Sequence, residues 1–139
     1  FMKQLQRVNR QSTHIANQRK DYLHKLSTEI ANQYDAVCVE DLNMKAMSNK
    51  SFGNGKATMD NGYGMFLNML TYKLAERGKQ LIKIDRWYPS SQLCHQCGHR
   101  QPMPLKIRAY HCPVCGMDFN RDWNAAINIK TEGLRLLSA

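Results

Sequence analysis

The sequence Ala36-Val37-Cys38-Val39-Glu40 is an uninterrupted apolar run that ends at a carboxylate. Such a run is typical of a strand buried on both faces, as in a parallel sheet. The preceding segment, from Phe1 to about Tyr34, lacks glycine and proline, and its apolar residues recur at spacings of three, four and seven. This pattern predicts one long amphipathic helix that leads into a strand ending at Glu40.

A second helix and a second strand follow in the same order. Asp60 or Asn61 is predicted to cap the helix, and Gly78 to end it in the left-handed conformation. The strand is predicted over about Gln80 to Asp85. The order helix, strand, helix, strand predicts an α/β fold with two parallel neighbouring strands joined by a right-handed crossover.

The chain is basic. Its 139 residues include 20 lysines and arginines against 11 aspartates and glutamates, which gives a formal charge of +9. This charge favours nucleic acid, another polyanion or an acidic membrane surface as partner. No segment approaches the roughly 18 consecutive apolar residues that a membrane span needs, so an integral membrane protein is excluded.

Four of the five cysteines form two Cys-x-x-Cys pairs, Cys94 with Cys97 and Cys112 with Cys115, and a glycine follows each pair. Because each pair lets two thiolates of one tight turn bind one ion, the four predict a closed tetrahedral zinc site with a structural role. The alternative is two disulfides or four unpaired thiols, which an intracellular chain does not favour. Cys38 is predicted to be a small buried hydrophobic residue of the strand.

Two carboxylates stand where acids can serve catalysis. Glu40 ends the apolar strand, and Asp122 lies in the first turn of a helix that Asn120 is predicted to cap. Each has an ordinary interpretation as well, because an acid in a first helical turn is common for dipole reasons alone. Taken one at a time, the two residues leave both interpretations open.

In this order the motifs resemble the C-terminal half of TnpB (OrfB) proteins, which are transposon-encoded RNA-guided nucleases related to type V CRISPR effectors. The likeness runs from about Asn17 to Lys130. The segments that carry it are Val39-Glu40-Asp41-Leu42-Asn43, Trp87 to Gly98, the second cysteine pair, and Asn120 to Ile129.

The resemblance implies an α/β fold, specifically a partial RNase H-like (RuvC) fold. The expected order is α-β-α-β, then a zinc ribbon, then a C-terminal helix, with the first three strands of the fold lacking. Residues 1–86 and 119–139 are expected to form the C-terminal part of the nuclease core, and residues 87–118 an inserted four-cysteine ribbon. A cytoplasmic, nucleoid-associated protein of a prokaryote is also implied.

The resemblance also implies a catalytic site. In the family three carboxylates hold two magnesium ions; Glu40 matches the second of them and Asp122 the third. The first normally lies in an upstream strand that this sequence does not contain. We therefore expect a C-terminal fragment of an Mg²⁺-dependent DNA endonuclease that is inactive alone, and that pairs with the missing N-terminal part of its own protein, or swaps or dimerises through its strand edge.

The implied partners are a DNA target and a guide RNA. A basic loop over residues 44–62 carries Lys45, Lys50 and Lys56, which are expected to hold the nucleic acid strand entering the site. Arg121 is expected either to contact the scissile phosphate or to form a surface ion pair. The competing hypothesis is a non-catalytic zinc-ribbon accessory protein of a transposon, which binds nucleic acid while its carboxylates have no function.

Overall fold

The structure is a computed structural model that describes residues 1–42 and 62–139. Its elements in chain order are α1 Met2–Gln33, β1 Ala36–Glu40, α2 Tyr63–Glu76, β2 Gln80–Ile84, β3 Ala109–His111, β4 Asp118–Asn120 and α3 Arg121–Ser138. Strands β1 and β2 pair in one two-stranded sheet, and β3 and β4 pair in another. The α/β class and the first four elements are therefore confirmed, with bounds within a few residues of those predicted.

The two ends of α2 compare differently with the prediction. The residue that caps its start is Gly62, with a φ of 73°, so the predicted cap at Asp60 or Asn61 is wrong; both of those residues lie outside the described part of the chain. A Cβ at Gly62 would come within 2.9 Å of Leu23 on α1, so close approach and positive φ both favour glycine there. The predicted end at Gly78 is confirmed by its φ of 67°.

The chain divides into two compact units, one of Phe1–Ala36 with Asn43–Leu81 and one of Val37–Leu42 with Ile82–Ala139. In the first unit α1 packs against α2, and the buried apolar residues are Leu23, Ala31, Met69, Leu70 and Leu74. Among the described residues, it is the second half of α1 that contributes to this core: in the first half Leu5, Val8 and Ile15 are between 46% and 59% exposed. The predicted apolar face of α1 is therefore covered over part of its length.

A buried lysine joins α1 to α2. The Lys73 ammonium donates hydrogen bonds to the hydroxyls of Ser27 and Thr28, both at 2.8 Å. It also donates to the carbonyl oxygen of His24 at 2.7 Å, and Lys73 as a whole is only 7% exposed. Burial lowers the pKa of Lys73, and the nearby charge of Arg77 lowers it further.

In the second unit β1 packs against α3 through a glycine. Gly133 is buried, and a Cβ at this position would lie 2.8 Å from the Cβ of Cys38. The Cys38 sulfur also lies 4.0 Å from the carbonyl oxygen of Lys130. Cys38 is half-buried, and burial raises the pKa of its thiol. None of the described helices is long and apolar enough to span a membrane.

We expect Gly133→Ala to lower the free energy of unfolding by about 1 to 3 kcal/mol, because the added methyl group overpacks the contact with Cys38. Gly64→Ala on α2 is the matched control, since a Cβ there would have nothing within 4 Å. That variant should be neutral or more stable by up to about 1 kcal/mol. Urea denaturation followed by circular dichroism measures both changes, and equal stability of Gly133→Ala and wild type would contradict the close packing.

Lys73 should make stability depend on pH in a defined direction. Its pKa in the folded chain lies below the ordinary value of 10.5, so between those two values the unfolded chain binds more protons and stability rises with pH. The variant Lys73→Met lacks this titration. The difference in unfolding free energy between wild type and Lys73→Met should therefore move in favour of wild type as the pH rises from 7 toward 10.5. Denaturation curves of both proteins across that range measure the difference, and a shift in the opposite direction would show that the ammonium is not desolvated.

Candidate metal centre and carboxylate site

The two Cys-x-x-Cys turns are built in the same way. In the first, the Gly98 amide donates to the carbonyl of Cys94 at 2.8 Å; in the second, the Gly116 amide donates to the carbonyl of Cys112 at 2.9 Å. The two glycines have φ values of 77° and 73°. Because this conformation strains other residues, a glycine after each pair lets the backbone curl beneath the sulfurs.

A buried tyrosine connects the two turns. Strands β3 and β4 form the antiparallel hairpin that carries the second turn, and Tyr110 of β3 pairs with Phe119 of β4. The Tyr110 hydroxyl donates to the carbonyl of Gln92 at 2.9 Å and approaches the carbonyl of His99 at 3.2 Å. Since Gln92 precedes the first turn and His99 follows it, the hydroxyl contacts the backbone on both sides of that turn. Burial, together with the neighbouring cysteines, raises the pKa of Tyr110 to about 12. The hydroxyl therefore stays protonated and keeps its donor role.

The structure brings the four predicted cysteine ligands together. All four sulfurs lie within 4.8 Å of one another. The sulfurs of Cys94 and Cys115 are 3.7 Å apart, and those of Cys97 and Cys112 are 3.5 Å apart. These distances are far longer than the roughly 2.05 Å of a disulfide. They are close to the sulfur–sulfur separation of about 3.8 Å expected from tetrahedral zinc–sulfur bonds of about 2.3 Å, so the set fits a metal such as zinc.

The electrostatics of the cluster also fit a cation. Backbone amides of Cys115 and Val114 donate to the Cys112 sulfur and lower the pKa of its thiol to about 6. For Cys115 a backbone amide of Met117 acts in the lowering direction, but burial and the neighbouring thiols outweigh it and raise the pKa to about 12. The cluster thus accepts one negative charge readily and resists the next, a penalty that a divalent cation would remove.

Asp122 lies in the first turn of α3, as predicted. The side-chain oxygen of Asn120 accepts the amides of Asp122 and Trp123 at 3.0 and 3.2 Å, which confirms the predicted helix cap. The Asp122 carboxylate is 66% exposed, and its oxygens lie 3.3 Å from Arg108 and 3.2 Å from Arg121. Sequence analysis did not identify Arg108 as a partner, because that contact joins the start of the hairpin to the start of the helix.

Arg121 forms the expected ion pair, with the exposed carboxylate of Asp122 at 3.2 Å, although Arg121 itself is buried. It is 8% exposed, and its guanidinium donates to the carbonyl of Leu105 at 2.9 Å as well as to Asp122. Its contact with nucleic acid stays a prediction. The other three predicted contacts, Lys45, Lys50 and Lys56, lie outside the described residues.

Glu40 ends β1, as predicted, and is half-buried. Its carboxylate accepts a hydrogen bond from the Ser90 hydroxyl at 3.3 Å, and Ser90 is 6% exposed. The next residue, Asp41, forms an ion pair with Arg86 at 2.8 Å. Among the residues described, Glu40 itself has no cationic partner. No hydrogen bond links Glu40 to Asp122 within this part of the chain.

Two buried asparagines of α3 bind the backbone of the segment that runs from Ser90, the hydrogen-bond partner of Glu40, toward Cys94. Asn128 donates to the carbonyl of Ser90 at 2.8 Å and to that of Leu93 at 2.7 Å. Asn124 donates to the same Leu93 carbonyl at 2.6 Å and accepts the amide of His95 at 2.9 Å. Neither asparagine was predicted to have this role, although their spacing of four residues places them on one helix face.

Comparisons with known proteins identify relatives of the whole chain. The family model described as Cas12f1-like, TNB domain matches residues 63–129, and the model OrfB_IS605, described as probable transposase, matches residues 1–51. A Streptomyces pristinaespiralis protein named "Putative RNA-guided DNA endonuclease" is 41% identical over 92% of this chain and 32% of its own length. The Escherichia coli protein of the same description, InsQ, is 31% identical over 99% of this chain and 38% of its own length. The chain thus spans about a third of these relatives.

Solved structures show the same fold. A Cas12f1–sgRNA–target DNA complex matches 85% of this chain and 35% of its own chain, with a TM-score of 0.60 and 24% identity. A CRISPR-Cas12f ternary complex matches 88% of this chain and 26% of its own, with a TM-score of 0.66 and 24% identity. Two family models that together match most of the chain, and relatives that align over nearly all of it, confirm the resemblance drawn from the motifs: the chain is similar to the C-terminal part of TnpB (OrfB) proteins.

Proposed function

We propose that this chain supplies the C-terminal part of a RuvC-like nuclease core, with residues 1–86 and 119–139 in the core and residues 87–118 as an inserted zinc ribbon. The complete protein would hydrolyse DNA under the guidance of an RNA, and this chain would contribute Glu40 and Asp122 to a magnesium site. The relatives named as RNA-guided DNA endonucleases and the Cas12f fold support the proposal. So does the strand-end acid Glu40, which in a chain of charge +9 has no cationic partner among the described residues.

The packing of β1 on α3 is the observation that carries this proposal. Cys38 of β1 faces Gly133 of α3, and Glu40, two residues later on the same strand face, connects through Ser90 to Asn128. Along β1 the contacts on α3 therefore move toward the helix start, where Asp122 lies. This direction favours a meeting of the two acids.

Helix and strand geometry give the size of the remaining gap. Asp122 precedes Gly133 by eleven residues, which is close to three whole turns, so both lie on one face of α3. Asp122 lies eleven helical residues before Gly133, at a rise of about 1.5 Å per residue. Glu40 lies two strand residues beyond Cys38 in the same direction, at about 3.3 Å per residue. The difference between these two lengths leaves about 10 Å along the helix between the backbones of Asp122 and Glu40. Two carboxylate side chains with two ions about 3.5 to 4 Å apart can span that gap.

Hard carboxylate oxygens suit magnesium, which would supply an activated water and stabilise the leaving oxygen in phosphodiester hydrolysis. Glu40 and Asp122 would hold it from two rigid elements, and Ser90 would keep the Glu40 carboxylate turned toward the site. The exposed Arg108, which pairs with Asp122, could turn to a substrate phosphate, since its side chain is 70% accessible.

One observation favours the competing function, a zinc-ribbon accessory that binds nucleic acid without catalysis. Asp122 is paired with Arg108 and Arg121, as an acid with a purely structural role would be. The two functions differ in what the carboxylates do when DNA is bound, so substitution of the acids separates them.

The decisive test uses a chimera in which this chain replaces the matching segment of the Streptomyces pristinaespiralis relative, assayed with the RNA that copurifies. Glu40→Gln and Asp122→Asn should each reduce magnesium-dependent DNA cleavage by more than about 100-fold, because each removes a ligand of ions that supply several kcal/mol of transition-state stabilisation. DNA binding should be unchanged.

Matched controls change acids that the proposal leaves outside the site. Asp41→Asn is adjacent to Glu40, and Asp118→Asn removes an exposed acid of β4 that pairs with His111. Both should cleave like the parent chimera. If Glu40→Gln and Asp122→Asn cleave as fast as these controls, the accessory function stands and the nuclease proposal does not.

The ribbon is proposed to bind one zinc ion as a structural centre. Chelation of a zinc-loaded chain should therefore abolish amide protection over about residues 93–117, because an apparent zinc affinity of about 10 to 16 kcal/mol exceeds what so small a segment contributes by packing. Hydrogen exchange read by mass spectrometry, with metal content measured in parallel, checks this. Cys97→Ser should show the same loss without chelator, whereas unchanged protection after complete metal removal would show that the ribbon folds without metal.

A further inference from the structure

The residues on both sides of the first metal ligand are tied to α3 by one asparagine. Asn124, fully buried, donates to the carbonyl of Leu93 and accepts the amide of His95, which are the neighbours of Cys94. The backbone on both sides of Cys94 is thus held to α3 by this side chain. If loss of the metal displaces the first turn, the hydrogen bonds that Asn124 of α3 makes to that turn would therefore be disturbed.

One helical turn later, Asn128 shares a partner with Asn124. Both amides donate to the carbonyl of Leu93, at 2.6 and 2.7 Å, and Asn128 also donates to the carbonyl of Ser90 at 2.8 Å. Asn128 is 6% exposed, so a donor left without a partner would cost about 1 to 3 kcal/mol. The hydrogen bonds of the two asparagines therefore hold residues 90–95 against α3 as one rigid segment.

Ser90 connects the segment of residues 90–95 to Glu40. Its amide donates to the carbonyl of Tyr88 at 2.8 Å, its carbonyl accepts from Asn128, and its hydroxyl donates to Glu40 at 3.3 Å. With the backbone held at both ends and the side chain buried, the hydroxyl has little freedom to turn elsewhere. Among the described residues, it is the one hydrogen-bond donor to the Glu40 carboxylate.

We propose that Asn124, Asn128 and Ser90 form a relay that couples the cysteine metal centre to the orientation of the Glu40 carboxylate, with Ser90 as its positioning residue. The inference rests on the proposed function in treating Glu40 as a magnesium ligand and the four cysteines as a zinc site; the coupling itself concerns contacts within the second unit. A hydroxyl bond to one carboxylate oxygen restricts the rotation of the other, and groups that orient metal ligands in this way commonly change metal affinity by about 10 to 100-fold.

The first experiment tests the coupling without any nuclease assay. Hydrogen exchange is measured on this chain, zinc-loaded and then chelated, at residues 37–41 around Glu40. We expect chelation to speed exchange there while residues 129–136 of α3 stay protected. Asn128→Ala should show fast exchange at residues 37–41 with zinc still bound and little further change on chelation; Thr131→Ala, which removes an exposed hydroxyl of the same helix, should behave like wild type.

Two outcomes of this experiment overturn the relay. Unchanged exchange at residues 37–41 after metal loss would show that Glu40 does not sense the cysteine centre. Equal loss of protection over all of α3 would show that the whole unit unfolds and that no relay is needed to explain the change. Both results come from wild type alone, so they decide the matter even if Asn128→Ala does not fold.

The second experiment tests the positioning role of Ser90 in the chimera. Ser90→Ala should raise the magnesium concentration for half-maximal cleavage by about 10-fold with DNA binding and zinc content unchanged. Ser90→Thr keeps the hydroxyl and should restore the wild-type requirement, and Ser91→Ala is the matched control for loss of a neighbouring serine hydroxyl. A fall in cleavage rate with the same magnesium requirement would mean that Ser90 acts only on folding and would overturn its role.

The two experiments separate the inference from the proposed function. If Glu40→Gln leaves cleavage intact, the nuclease assignment fails while the exchange result still decides the coupling. If Glu40→Gln abolishes cleavage, but hydrogen exchange at residues 37–41 does not change when the metal is removed, the nuclease assignment holds and the relay is overturned.

Discussion

Four cysteine sulfurs within 4.8 Å of one another are the constraint on which the second unit depends. Two of these cysteines, Cys94 and Cys112, form a buried cluster with Tyr110, and three more residues are partly buried against it. A core of this size supplies little hydrophobic free energy, and small folds of this kind commonly rely on a metal. The pKa of Cys112 is lowered and that of Cys115 raised, so a cation beside the sulfurs would favour ionisation of the whole set. In the proposed zinc site, folding of the ribbon and metal binding would be one event.

The first unit is held together by a different device, in which cations of α2 and its end bind the polar groups of α1. Lys79 donates to the carbonyls of Ala31 and Asn32 at 2.8 and 3.2 Å, and so satisfies groups that the end of α1 leaves without helical partners. Lys73 makes the corresponding contacts one turn earlier along α1. These contacts tie the end of α1 to the end of α2 and the segment that follows it.

Sequence alone was sufficient wherever the signal was local. The spacing of apolar residues located α1, β1 and β2, the two Cys-x-x-Cys pairs located the cysteine cluster, and Asn120 located the start of α3. The contacts that shape the carboxylate site were not found, because they join residues far apart in sequence: Ser90 is 50 residues from Glu40, and Asn128 is 38 residues from Ser90. The cap of α2 was mispredicted for the same reason. Gly62 is favoured there by its approach to Leu23 on α1, and no local pattern reveals that approach.

Glu40 and Asp41 are adjacent acids with different surroundings. Asp41 pairs with Arg86 and is satisfied by the protein, whereas Glu40 receives one hydroxyl and, among the described residues, no positive charge. A half-buried carboxylate without a cation costs free energy that packing elsewhere must offset. In a chain with nine more basic than acidic groups a cationic partner was readily available, and the proposed nuclease site would use the unpaired carboxylate to bind a cation from outside the protein. In that proposal the hydrogen bond from Ser90 would keep one oxygen in place for the cation.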